Sequence, residues 1–266
     1  MEFSVKHIED LSLNAWPSHK MELYDGWILR FSYFYTHRTN SVEQFGTSTL
    51  PWSVKIPYCE KEYHRLGSPA VFKISPLVSP DFDFMLENRG YRIEHTTHVM
   101  VLDLSSASDM AENEPAQHPI ELMESIPQEW IQALFSLKGT SDPRHLAVVP
   151  SMYQAIPKET VCACVRSEGR IAATALGILD RDYIGIYAIH VREDLRGKGI
   201  ARALCRTLLS QGRKKGADKA YLQVVDGNVP ARCLYESLGF SQLYTYWFRV
   251  QPVYGPPWNE SRGQVP

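Results

Sequence analysis

Arg196-Gly197-Lys198-Gly199-Ile200 is the stretch of this chain whose residue types and spacing most directly suggest chemistry. It follows a strand-like apolar run and opens a helix-like one. Two glycines at such a junction let the backbone turn tightly and approach a ligand. The first N–H groups of a helix have no intrahelical acceptor, and the positive end of the helix dipole sits on them. Arg196 and Lys198 add cationic charge. With Ala201, the segment predicts a pyrophosphate cradle. It is not a Walker loop, because no Gly-Lys-Ser/Thr ends it, and it is not the dinucleotide Gly-x-Gly-x-x-Gly. In the run before it, Tyr187 and His190 are the polar side chains. His190 has the ordinary pKa for moving protons near neutrality, and it reads equally as a histidine fixed by backbone contacts at a strand end. Tyr187 reads as packing or as touching a substrate, and Glu193 as a solvated loop charge.

The elements that must position these residues alternate in type. Apolar spacing predicts helices over Ile126–Lys138 and His145–Ala155. Strands follow over Glu159–Arg166, Ile171–Leu179 and Tyr183–Val191, the first two joined by a hairpin turn at Ser167–Arg170. A helix runs from Gly199 to about Lys215 and stops at Gly216. A strand at Ala220–Val225, a helix at Val229–Leu238 stopped by Gly239, and a strand at Leu243–Val250 complete the series. The N-terminal part predicts strands at Trp27–Tyr35 and Ala70–Ile74, helices at Pro57–Leu66 and Asp81–Asn88, and a long β region at Tyr91–Leu104. The expected class is α/β, a mixed sheet with helices on its faces.

The spacing around the glycines resembles motif A of the GNAT superfamily, Gln/Arg-x-x-Gly-x-Gly/Ala, here Arg196 to Ala201. Asn228, Ala231, Leu234, Tyr235, Gly239 and Phe240 are similar to a second family pattern, Asn-x-x-Ala-x-x-Leu-Tyr-x-x-x-Gly-Phe, one helix and one strand later. The resemblance implies a GNAT fold and N-acetyltransfer from acetyl-CoA. It implies that the backbone of Gly197–Ala201 holds the coenzyme A pyrophosphate, Ile189, His190 and Val191 meet the pantetheine arm, and Asn228 N-caps its helix and reaches the same arm. It places Tyr235 at the position that protonates the leaving thiolate in many members. Members often carry a glutamate before motif A as general base. None stands here before Glu193, so His190 is the candidate. The family opens the strand before motif A from its neighbour, which this sequence alone does not show. The acceptor expected is a small-molecule primary amine. A protein or peptide amine, and a non-catalytic coenzyme A-binding regulatory module, are the alternatives.

The first hundred residues also look like the N-terminal region of bacterial two-part GNAT proteins, through Asn14–Pro17, Asp25–Arg30 and Asn40–Val42. Phe84–Leu104 echoes the segment from Cys233 onward: Gly90-Tyr91 stands for Gly239-Phe240, and Leu86 takes the place of Tyr235. No Arg-x-x-Gly-x-Gly/Ala loop occurs before residue 105. These features suggest a degenerate GNAT-like domain over 1–104, a linker over 105–119 rich in Ser, Asp, Glu and Pro, a catalytic domain over 120–252 and a tail over 253–266. Trp27, Arg30, Arg38 and Asn40 either line an acceptor site or serve the core and the surface.

Bulk properties set the outer limits. The chain has 266 residues, 44% hydrophobic and 22% charged, with a net charge of -2. That mix suits a globular protein and gives no reason to expect nucleic acid or an anionic membrane as partner. No apolar run is long enough to span a bilayer, and the polar start lacks the apolar core of a signal peptide, which favours the cytoplasm. The five cysteines have no metal-ligand spacing and read as buried free thiols, so no metal is expected. The oligomeric state has no signature.

Overall fold

A computed structural model describes residues 3–105 and 119–252. In chain order the elements are α1 (Val5–Ala15), β1 (Lys20–Tyr24), β2 (Trp27–Phe31), β3 (Val42–Gln44), α2 (Trp52–Arg65), β4 (Val71–Ile74), α3 (Pro80–Asn88), β5 (Arg92–Asp103) and β6 (Ile120–Met123). They continue with α4 (Gln128–Lys138), α5 (Pro143–Gln154), β7 (Glu159–Ser167), β8 (Arg170–Asp180), β9 (Tyr183–Val191), α6 (Ile200–Lys214), β10 (Lys219–Val225), α7 (Val229–Ser237) and β11 (Ser241–Val250). The chain forms two compact units, residues 1–17 with 97–245 and residues 18–96 with 246–266. These boundaries differ from a division at a 105–119 linker. Helix α1 belongs to the larger unit, and β5 and β11 each divide between the two. Most of that linker and the whole tail at 253–266 lie outside the described residues.

In the larger unit the strand order is β11-β5-β10-β9-β8-β7-β6. Strands β6 to β9 form an antiparallel series. Strand β10 lies parallel to β9 and antiparallel to β5, so α6 is the crossover that a parallel pair requires. Helices cover both faces of this sheet, and all residues of β8 except Arg170 are accordingly buried. On one face Ile200, Leu204, Cys205, Leu208 and Leu209 of α6 pack with Ile184, Ile186, Leu222 and Val224; the 4-1-3-1 spacing sets these side chains on one stripe of the helix. On the other face the α1 residue His7 meets the Tyr183 ring at 5.1 Å. Helix α1 was not foreseen. Its charged residues hide a stripe in which Ile8 and Leu11 are fully buried and Ala15 nearly so.

In the smaller unit the order is β1-β2-β3-β4-β11, and Trp27, Phe72, Phe82 and Tyr91 form an aromatic core. Strand β2 ends at Phe31, short of the expected Tyr35. The Asn40 Oδ1 accepts the backbone N–H groups of Ser32 and Phe34, which curls the chain, and Tyr33 and Phe34 take positive φ. Helix α2 starts at Trp52 and carries Pro57 inside, where the sequence suggested a start at Pro57. Helix α3 leads through Arg89 and Gly90 to Tyr91, whose N–H bonds the Leu86 carbonyl at 3.0 Å, as Phe240 N–H bonds the Tyr235 carbonyl at 3.1 Å after α7. The echo in sequence is thus matched by the same helix-terminating bond.

Candidate active site

The site begins where β9 and β10 part. Their parallel register runs from Tyr183 against Lys219 to Ile186 against Leu222 and stops there. Strand β9 continues to Val191, while β10 turns its remaining residues to β5 alone. The backbone of Tyr187–Val191 therefore has no registered partner on the β10 side among the described residues.

A bulge in the same segment redirects its side chains. Between Leu176–Tyr187 and Thr174–His190, β8 advances two residues and β9 three. The extra residue falls at Ala188–Ile189, and Ala188 has φ +51°. The fully buried Thr174 holds the bulge, its Oγ1 donating to the Ala188 carbonyl at 3.0 Å. Paired residues share a face, and Leu176 and Thr174 are two apart, so Tyr187 and His190 point to the same side. Regular alternation would have set them on opposite sides.

That side is the one bearing α1. The Tyr187 hydroxyl lies 2.6 Å from the Tyr221 hydroxyl. Gly185 makes room for this pair, since a Cβ there would stand 2.6 Å from the Tyr187 ring and 2.7 Å from the Tyr221 ring. His190 is partly buried. Desolvation, then the positive charges of Lys138 and Arg196, lower its pKa to about 4, so the imidazole is neutral at pH 7.

Beyond Val191 the chain makes a short 3-10 turn over Glu193–Leu195 and enters the glycine segment. Arg196 donates from Nε to the Val191 carbonyl at 3.2 Å, which ties the loop to the strand end. Gly197 and Gly199 have φ +75° and +76°, the left-handed region that glycine enters without a Cβ penalty. A Cβ on either would meet no atom within 4 Å, so the space above them is open. No side chain caps α6. Its first N–H groups, those of Ile200, Ala201 and Arg202, are the ones a helix leaves unpaired. Lys198 is exposed beside them. An uncapped helix start, two glycines and two cations fit a pyrophosphate.

Helix α7 flanks the loop, with Arg202 of α6 donating to Ser237 Oγ of α7 at 2.8 Å. Asn228 caps α7 by accepting Ala231 N–H at 3.4 Å, a long bond. Tyr235 is 9% exposed and packs in the α6 core against Phe240. Burial, with a smaller effect from Cys205, pushes its phenol far above the usual value, so the proton is firmly held. Tyr235 thus belongs to the α6 face and His190 to the opposite one, and the parted strands lie between those faces.

The structure brings Tyr187, Ile189, His190, Val191 and the Arg196–Ala201 loop into one continuous strand and turn, with Asn228 and Tyr235 on the neighbouring helix. The four residues singled out near the start lie in the smaller unit, where Trp27, Arg30 and Asn40 make internal contacts. Trp27 is 1% exposed beneath the Lys55 ammonium, 4.0 Å from its ring centroid. Asn40 spends both ends of its amide on the 32–39 loop. Buried Arg30 donates to the Arg38 carbonyl at 2.5 Å. Glu193 is exposed, as read. Four cysteines are buried free thiols, whereas Cys233 is exposed on α7. Thr174 was missed. An isolated hydroxyl in an otherwise apolar, alanine-rich strand was its one signal.

Comparisons with known proteins bear on the family and the fold. Residues 4–248 match the family described as probable histone acetyltransferase Rv0428c C-terminal. The protein described as uncharacterized N-acetyltransferase YobR of Bacillus subtilis (strain 168) is 27% identical over 248 residues, covering 93% of this chain and 98% of that one. A GCN5-related N-acetyltransferase from Kribbella flavida superposes with a TM-score of 0.68 at 13% identity, covering 95% and 97% of the two chains. A tandem GNAT protein from the clavulanic acid biosynthesis pathway gives 0.64 at 11% identity over 93% and 89%. At these identities the two structures show a shared fold, the two-part GNAT arrangement.

Proposed function

Because the chain belongs to the GNAT N-acetyltransferases, in the family described as probable histone acetyltransferase Rv0428c C-terminal, we propose that it transfers an acetyl group from acetyl-CoA to a primary amine of a small molecule. The observation that carries this reading is the unregistered, bulged backbone at Tyr187–Val191 leading directly into the uncapped, glycine-lined start of α6. One end offers backbone groups to an amide-rich arm and the other offers N–H groups and cations to a pyrophosphate.

Bound there, acetyl-CoA supplies a thioester whose carbonyl carbon takes the amine nitrogen as the carbon–sulfur bond breaks. The Gly197–Ala201 backbone, Arg196 and Lys198 hold the pyrophosphate. Ile189, His190 and Val191 hold the pantetheine arm by backbone groups, and Asn228 reaches it from α7. An N–H of the parted strand donates to the developing oxyanion. Tyr235 retains its proton through burial and gives it to the departing sulfur. His190, neutral at pH 7, accepts the proton of the attacking amine through water. Tyr187 and Tyr221 line the acceptor side.

A protein or peptide amine is the second reading, favoured by the histone named in the family's description. The test is acetyl-CoA-dependent thiol release across amino acids, polyamines, aminoglycosides and basic peptides. Saturable turnover with a small amine supports the proposal. Turnover confined to peptides supports the second reading. Binding without turnover on any amine leaves a regulatory module in place of an enzyme and refutes both.

A further inference from the structure

Three side chains outside this site form a cluster with the chemistry of a metal centre. His37, in the 3-10 turn over His37–Thr39, places Nε2 3.1 Å from Glu94 Oε2. Its ring meets the His95 ring edge-on, centroids 4.7 Å apart. One ligand atom from each of the three lies within 4.8 Å of the others.

Residues 94 and 95 are consecutive in β5, and consecutive strand side chains normally face opposite ways. Here both reach His37, because His95 has φ +50° and breaks the alternation. A non-glycine residue in the left-handed region is strained, and such strain persists where the surroundings enforce it. The local result is two imidazoles and a carboxylate converging from two separate segments of the smaller unit.

We propose that His37, Glu94 and His95 bind one divalent transition-metal ion of the zinc, cobalt or nickel type, leaving the remaining coordination positions to water or an added ligand. Two histidines and a carboxylate are a recurrent donor set for such ions. Tetrahedral ligands about 2.1 Å from a zinc ion stand roughly 3.4 Å apart, so the His37–Glu94 separation already suits a shared ion. The remaining closure is a side-chain rotation, for which exposed Glu94 and His95 have room. The buried Phe248 ring meets that of His37 edge-on, centroids 5.3 Å apart. A bound ion would clamp the 37–39 turn to the start of β5.

The cluster escaped sequence reading because 57 positions separate His37 from Glu94, and adjacent strand residues are not expected to share an ion. Its test uses the full-length, untagged protein, stripped of metal and titrated with Co2+ while visible absorption is followed. The expected result is one Co2+ per chain with the bands of nitrogen and oxygen ligation. His37→Ala and His95→Asn should weaken binding more than about tenfold, since even outer-sphere partners of a metal are worth that much. Asparagine is chosen at 95 because it tolerates positive φ. His98→Ala serves as control, since His98 pairs with Asp226 elsewhere, and it should bind Co2+ as the wild type does. Circular dichroism of the apo proteins separates lost ligation from lost folding. Glu94→Gln, which leaves the backbone strain untouched, provides a second route if a histidine variant does not fold. No saturable Co2+ binding by the wild type, or binding that survives the 37, 94 and 95 substitutions, overturns the proposal.

Discussion

Tyr235 and His190, the proposed acid and base, sit in surroundings that fix their protonation states at neutral pH. Burial raises the tyrosine's proton affinity and lowers the histidine's, so at neutral pH one holds a proton to give and the other has room for one. Tyr235→Phe removes the proposed proton donor while keeping the ring in its core. It should lower kcat by about 10²-fold or more, the usual worth of a general acid, with coenzyme A affinity nearly unchanged. Steady-state kinetics with parallel binding measurements check this; an unchanged kcat removes Tyr235 from the mechanism. For His190 the consequence is also one of stability. Unfolded, it titrates near 6.5; folded, near 4. Between those values the unfolded chain binds more protons, so stability rises with pH across the window and levels off above it. In urea titrations from pH 4.5 to 7.5, His190→Gln should lose less stability on acidification than the wild type. Parallel curves would mean that His190 is not depressed as described.

At the scale of elements, the decisive features are where β10 leaves β9 and where β9 gains a residue. Thr174 joins the two by holding the Ala188 carbonyl. Thr174→Val keeps the shape and deletes that bond. It should cost about 1 kcal/mol of stability and, by letting the bulge relax, move Tyr187 and His190 apart and reduce kcat/KM. Equal activity in the variant would show that the bulge stands without it. This geometry also marks the limit of what could be read from sequence. The glycine loop was legible because Gly197, Gly199 and the apolar stripe of α6 leave a local signature. Asn228 and Tyr235 were legible through their spacing. Ile-Gly-Ile-Tyr-Ala-Ile-His-Val reads as an even strand, because the bulge is held by a hydroxyl in β8 and β10, beyond Leu222, stays in register with β5 and not with β9. Both causes are non-local. Helix α1 was missed for a related reason: within the polar start, Glu9 is buried and accepts the Tyr244 hydroxyl at 2.5 Å.

At the scale of the molecule, composition and contacts divide the chain differently. A cut at the Ser- and Glu-rich segment gives a fragment over 120–252 that contains every residue proposed to bind acetyl-CoA. That fragment lacks β5, which pairs with β10 along seven residues, and α1, whose Asn14, Ser12 and Glu9 bond Asp180, Gln223 and Tyr244 within the larger unit. Expressed alone, it should fail to give a cooperative unfolding transition. Leu11→Ala in the full chain, which empties a fully buried position of α1, should cost about 2–5 kcal/mol. A soluble, cooperatively folding 120–252 fragment would show that the linker is the true boundary.

If the glycine-lined start of α6 is a coenzyme A site, calorimetric titration of the full chain with coenzyme A will detect it. The wild type should bind one equivalent. Gly199→Val, which places a β-branched side chain where φ is +76°, should bind about tenfold more weakly or worse, a loss of about 1.4 kcal/mol, while keeping the wild-type circular dichroism. No binding by the wild type, or equal binding by the folded variant, would contradict the assignment.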